Sequence, residues 1–145
     1  MIGIDTNLLL YALHPGVAEH QCAREFLTRC GTDQSVIMCD LVLAELYQLI
    51  RNPVILGREI PPAEAVDIIQ RFRHNPNWLI AENAPVMDEV WRHASKEGFA
   101  RRRLFDVRLA LTLQHHGGTH FATANVKDFE GLGFEKVWNP LEEKT

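Results

Sequence analysis

The run Val36-Ile37-Met38-Cys39 constrains the fold most, because it is apolar at four successive positions. A strand with one wet face alternates apolar and polar residues, so an unbroken short run belongs to a strand covered on both sides, the usual state in a parallel sheet. Further candidate strands stand at Met1-Ile2-Gly3-Ile4, Trp78-Leu79-Ile80-Ala81 and His120-Phe121-Ala122-Thr123, and Phe134-Glu135-Lys136-Val137-Trp138 is a plausible fifth. Between them, apolar residues at helical spacing predict helices after Asp5, over 17–30, over 41–51, from Pro61-Pro62 to Asn75-Pro76, over 85–97 and over 105–116. Strands alternating with helices predict an α/β fold, a three-layer α/β/α domain with right-handed crossovers around a central parallel sheet of about five strands.

With 145 residues, 46% of them hydrophobic, the chain is long enough for one core that buries roughly two thirds of its unfolded surface. We expect a single domain over 1–140 and a polar tail over 141–145, frayed from Asn139 onward. Cys22, Cys30 and Cys39 are odd in number and lack CxxC spacing, which fits reduced core thiols. No apolar stretch reaches membrane-spanning length and no basic signal region opens the chain, so a soluble, cytoplasmic protein with no membrane partner is expected. A net charge of −4 speaks against a nucleic-acid binder that relies on overall basicity. Acids gathered around a cation would reverse that sign locally.

The topology predicts where the acids fall. Asp5 ends the first strand, Asp40 ends the second with Glu45 about one helical turn later, and Thr123-Ala124-Asn125 follows the fourth. All lie at the carboxyl edge of the sheet, where ligands bind in folds of this kind. Asp5 also suits a helix cap, and both roles are open to it. The helix before the fourth strand runs antiparallel to it, which brings Asp106 to the same edge. Helix 85–97 descends roughly 20 Å at helical rise. An extended connection over 98–104 climbs roughly 23 Å back. Asp5, Glu45, Asp106 and Asp128 would then converge, with Thr6, Asn7, Thr123 and Asn125 nearby as neutral groups. Clustered carboxylates raise one another's pKa unless a cation sits among them. An all-oxygen donor set favours Mg²⁺ or Mn²⁺, which lower the pKa of an attacking water and stabilise charge on a phosphodiester.

The segments Ile4-Asp5-Thr6-Asn7-Leu8-Leu9, Leu43-Ala44-Glu45-Leu46, Phe105-Asp106-Val107-Arg108-Leu109-Ala110 and Thr123-Ala124-Asn125-Val126-Lys127-Asp128-Phe129 resemble the PIN-domain ribonucleases. Within that family the likeness is to the VapC-type toxins of bacterial and archaeal toxin–antitoxin pairs, and it spans essentially the whole chain. By this resemblance Asp5, Glu45 and Asp106 match the core metal-binding acids, and Asp128 matches a further acid in a loop where some members carry one at the place of Asn125. The resemblance implies a Mg²⁺- or Mn²⁺-dependent endoribonuclease, with Thr6 and Asn125 orienting the attacking water or a phosphate oxygen. It also implies an RNA substrate, a cognate antitoxin that fills the groove, and a homodimer. The helix 41–50, read as apolar almost all round, is either deeply buried or in part a subunit interface, and the homodimer that the resemblance implies favours the interface.

Arg101, Arg102 and Arg103, with Arg108 and Lys127, are candidates to hold RNA phosphates, and a solvated charge run is the plainer reading of the triplet. Trp78, Trp91 and Trp138 sit in strand or helix patterns and read as core. The seven histidines lack ligand spacing. Two other classes stand beside the nuclease. A catalytically inactive PIN-like module that binds RNA or protein would explain Asn125. A phosphoaspartate domain would want an acid next to Asp5 or two residues on, where Asn7 stands.

Overall fold

The computed structural model describes residues 1–143. Its sheet has five parallel strands, β1 (Ile2–Ile4), β2 (Val36–Cys39), β3 (Leu79–Ala81), β4 (His120–Ala122) and β5 (Lys136–Trp138), in the order β3-β2-β1-β4-β5. The helices are α1 (Thr6–Leu13), α2 (His20–Cys30), α3 (Asp40–Ile50), α4 (Pro53–Leu56), α5 (Pro62–Arg73), α6 (Met87–Ala94), α7 (Leu104–His115) and α8 (Val126–Phe129). From β1 the chain moves outward to β2 and β3, then returns past β1 to β4 and β5. Right-handed crossovers therefore place α1 to α5 on one face and α6 to α8 on the other. The packing agrees: α1 lies against α2 and α3, α3 against α5, and α7 against both α6 and α8.

The best covered strand is β2, which lies next to the central β1. Ile4, Leu8 and Leu9 are buried beside all four residues of β2, which is why that run needs no polar alternation. Under the return face Phe121 stacks on Phe134 and tilts against Phe129. Gly3 marks where α7 comes nearest the sheet: a Cβ there would stand 2.8 Å from Leu113 Cδ1 and 3.1 Å from Phe121 Cδ1. Both neighbours are fully buried and cannot give way freely. Gly3→Ala is expected to lower stability by about 1–3 kcal/mol through overpacking, read as a lower urea midpoint with an unchanged slope. An unchanged midpoint would show that α7 can slide away.

Several expectations are corrected. Asn52-Pro53 ends α3 but also starts α4, since the Asn52 side chain accepts from Val54 N and proline suits the first helical position. The connection 98–104 is not extended throughout, because Arg101–Arg103 form a 3-10 turn. Cys22 is exposed on α2, whereas Cys30 and Cys39 are buried. Trp78 is core and donates its indole N–H to Cys30 O, but Trp91 is 55% exposed. The end of the chain does not fray at Asn139: its side chain caps a 3-10 turn over Pro140–Glu142 that lies on α2, with Pro140 buried. Of the tail, 144–145 lie outside the described residues. Among the described residues no helix is long and apolar enough to cross a membrane.

Candidate active site

The order β3-β2-β1-β4-β5 reverses direction between β1 and β4, and the crevice at that point is where open α/β sheets bind ligands. Asp5 leaves β1 there. It caps α1, as one Oδ accepts from Thr6 N at 2.8 Å. Its other Oδ accepts from Thr123 Oγ1 at 2.7 Å and from Asn7 Nδ2 at 3.3 Å. Asn7 Oδ1 in turn accepts from Ala124 N at 3.2 Å, and Thr123 Oγ1 accepts from Asn125 N at 2.9 Å. The carboxylate is thus held by the ends of both central strands. Burial pushes its pKa from 3.8 up to about 6 against these hydrogen bonds, and the charges of Glu45 and Asp106 add to the rise.

Glu45 approaches from α3, on one face of the sheet. The helix is less apolar than its sequence implied: Ala44, Glu45 and Gln48 form an exposed strip, and α1, α4, α5 and the sheet cover much of the rest. Glu45 needs no buried partner, yet it accepts a hydrogen bond from the buried Thr6 hydroxyl at 3.2 Å.

Asp106 approaches from the other face, in the first turn of α7. It is half-buried, and burial first, then the charges of Asp128 and Glu45, raise its pKa to about 6 against the opposing pull of Arg103 and Arg102. Asp128 lies in α8, a short helix that sequence reasoning took for a loop. The arginine triplet reaches it directly: Arg102 Nη1 donates to Asp128 Oδ1 at 3.1 Å and Arg103 Nη2 to the Asp128 carbonyl at 2.9 Å.

The four acids therefore share one electrostatic neighbourhood, assembled from positions 5, 45, 106 and 128. They do not form a closed cage. Among the described residues no three His, Cys, Asp or Glu side chains lie close enough together to hold a metal ion as they stand. Beside them an open groove of about 660 Å³ runs between α3 and α7, lined by Leu41, Glu45, Gln48, Arg102, Phe105, Asp106, Arg108 and Leu109.

Of the expected phosphate-binding cations, Arg102 and Arg108 line this groove and Arg103 is turned to Asp128, while Arg101 is exposed. Lys127 is not brought to it. It lines a separate depression behind α8 with Asn125, Asp128, Asn139 and Glu142. Sequence reasoning missed Phe105 and Gln48 as groove residues. Their signal was faint: Phe105 stands three and four positions before Arg108 and Leu109, so the three share one side of α7.

A parallel sheet whose central strand carries a buried acid to the switch point, met there by acids from helices on both faces, defines an acidic α/β site suited to a cation and an anionic substrate. The chain belongs to the PIN-domain family, whose model matches residues 2–135. It is 51% identical over 141 residues, 97% of each chain, to proteins named Ribonuclease VapC24 from two strains of Mycobacterium tuberculosis, CDC 1551 / Oshkosh and H37Rv. Two solved structures share the fold. VapC20 of M. tuberculosis, described as a sarcin–ricin-loop-cleaving toxin, matches with a TM-score of 0.68 at 17% identity over 92% of this chain and 96% of its own. FitAcB from Neisseria gonorrhoeae matches with a TM-score of 0.65 at 19% identity over 99% of this chain and 100% of its own.

Proposed function

We propose that this protein is an endoribonuclease that hydrolyses RNA phosphodiester bonds with Mg²⁺ or Mn²⁺, the toxin of a toxin–antitoxin pair acting in the cytoplasm. Asp5, Glu45, Asp106 and Asp128 are its metal-binding and catalytic acids. The observation that carries this is the pair of carboxyls Asp5 and Asp106 at the switch point between β1 and β4, each raised to about 6 by burial first and then by the charges of other acids of the set. Near neutral pH such a group is short of positive charge, which a divalent cation supplies.

The donor set fits that ion. It is all carboxylate, with hydroxyl and amide groups around it, the oxygen-rich chemistry that hard divalent cations take. When bound, the ion supplies a water of lowered pKa and neutralises charge on the phosphate. The chain's own groups orient the rest. Thr6 N and the Thr123 hydroxyl fix the Asp5 carboxylate, the Thr6 hydroxyl steadies Glu45, and Asn125 turns a water or phosphate oxygen. Arg102 and Arg108 face RNA phosphates from the groove, beside the acids that cut.

A cognate antitoxin whose segment covers the groove belongs to the same reading, supported by the VapC name that the relatives share with the toxin of the VapC20 structure. So does a homodimer. It rests on the family likeness, since α3, the face expected from the sequence, is largely covered by α1, α4, α5 and β2.

The test is cleavage of end-labelled single-stranded RNA by the purified protein with Mn²⁺ and with EDTA. Internal cuts are expected with the metal and none with the chelator. Cuts that survive EDTA would refute the metal, and RNA bound firmly in Mn²⁺ but never cut would favour a binding module.

A further inference from the structure

We infer that Phe105 is a base-stacking residue, whose ring takes an unpaired base of the RNA adjoining the phosphate at the acids, so that the strand must be single or locally splayed where it is cut. This rests on the endoribonuclease reading and adds to it a residue and a substrate conformation.

Phe105 is 72% exposed, although a phenylalanine is among the side chains that gain most from burial. The other large apolar side chains left exposed among the described residues, Val54, Val66, Leu79 and Trp91, do not line the groove. Phe105 does, and it directly precedes Asp106 on α7. Its surroundings supply what a nucleotide needs. Arg108, which makes no ion pair among the described residues, lies one turn along the same helix and meets a phosphate. Gln48, on the α3 side, offers an amide to a base edge. The ring itself gives a flat apolar face, and aromatic faces accept any base because every base has one.

A purely apolar contact with a protein would be served as well by leucine, whereas a base requires a plane. The groove pairs two arginines, Arg102 and Arg108, with the acids Glu45 and Asp106, so a strand can lay a phosphate on Arg108 while its base meets the ring. A base paired inside a duplex has both faces covered, so only an unpaired one can use the ring.

The test compares the wild type with Phe105→Leu and Phe105→Tyr, on a single-stranded RNA carrying 2-aminopurine. Anisotropy reads affinity, and quenching of the fluorescent base reads stacking. Both are read in EDTA, where no cut is expected, and gels of parallel samples in Mn²⁺ read cleavage. The exposure of position 105 makes all three proteins comparable in fold, which circular dichroism checks. Wild type and Phe105→Tyr are expected to quench. Phe105→Leu should lose the quench and bind about five- to a hundredfold more weakly, with KM raised and kcat little changed. A duplex of the same sequence should bind more weakly than the single strand. Equal binding and quenching by Phe105→Leu, absence of quenching by the wild type, or equal binding of the duplex would each overturn the inference; the first would assign the ring to a protein contact. Quenching without cleavage would leave the stacking in place and sink the nuclease reading alone.

Discussion

Asp5→Asn is expected to lose about a thousandfold or more in RNA cleavage at pH 7 while becoming more, not less, resistant to unfolding. The two effects have one cause. Asp5 is 7% exposed, and its pKa stands at about 6 in the folded protein against 3.8 for the free group. A carboxyl raised in this way binds protons more readily when folded, so the fold is favoured at low pH and loses that advantage as pH rises from about 4 to about 6. By pH 7 the buried charge costs about 2–3 kcal/mol. Asparagine carries no charge, but its NH₂ must face either Thr6 N–H or the Thr123 and Asn7 donors, so only about 1 kcal/mol is regained. Urea unfolding should place the variant above the wild type at pH 7 and at or below it at pH 4.5. A variant that is less stable at pH 7 would show that the carboxylate holds the strand ends together more than its charge strains them.

Mn²⁺ is expected to stabilise the wild type in proportion to its occupancy of these acids. At a hundred times its dissociation constant the gain is about 2.7 kcal/mol, worth about 8 °C in melting temperature for a domain of this size. Protons compete for the same oxygens, so the shift should shrink as pH falls through about 6, where Asp5 and Asp106 both take up protons. Asp106→Asn should reduce the shift at every pH. A shift that is the same at pH 5 and pH 7.5, or is untouched by that substitution, would place the ion elsewhere.

Most of the fold was legible because Val36–Cys39 carries the signature of a buried parallel strand, shorter apolar runs alternate with helical patterns around it, and helix stops such as Asn75-Pro76 are strong. Strand direction, with α7 running antiparallel to β4, put Asp5, Glu45 and Asp106 at one edge of the sheet, and the charges of Glu45 and Asp106 reach Asp5 there. What failed was local. Arg101–Arg103 coil into a 3-10 turn because Arg102 and Arg103 find partners on Asp128, a tertiary contact that no pattern encodes. Trp91 looked like core since its spacing is helical, but spacing cannot say that α6 turns that side outward. Thr123 was read as a neutral neighbour, and its part as the shortest donor to Asp5 depends on a register between β1 and β4 that only the assembled sheet fixes.

That register also governs when the site can exist. Asp5 and Thr123 are 118 positions apart, and β1 is the strand that both halves of the sheet must flank. Such distant pairings form late, because the loop between them must close first. A growing chain that has passed Asp106 still lacks β4, the Thr123 hydroxyl and Asp128. The edge that carries the acids is therefore completed only once β4 and α8 have been made, and a chain that stops short of Asp128 lacks part of the set.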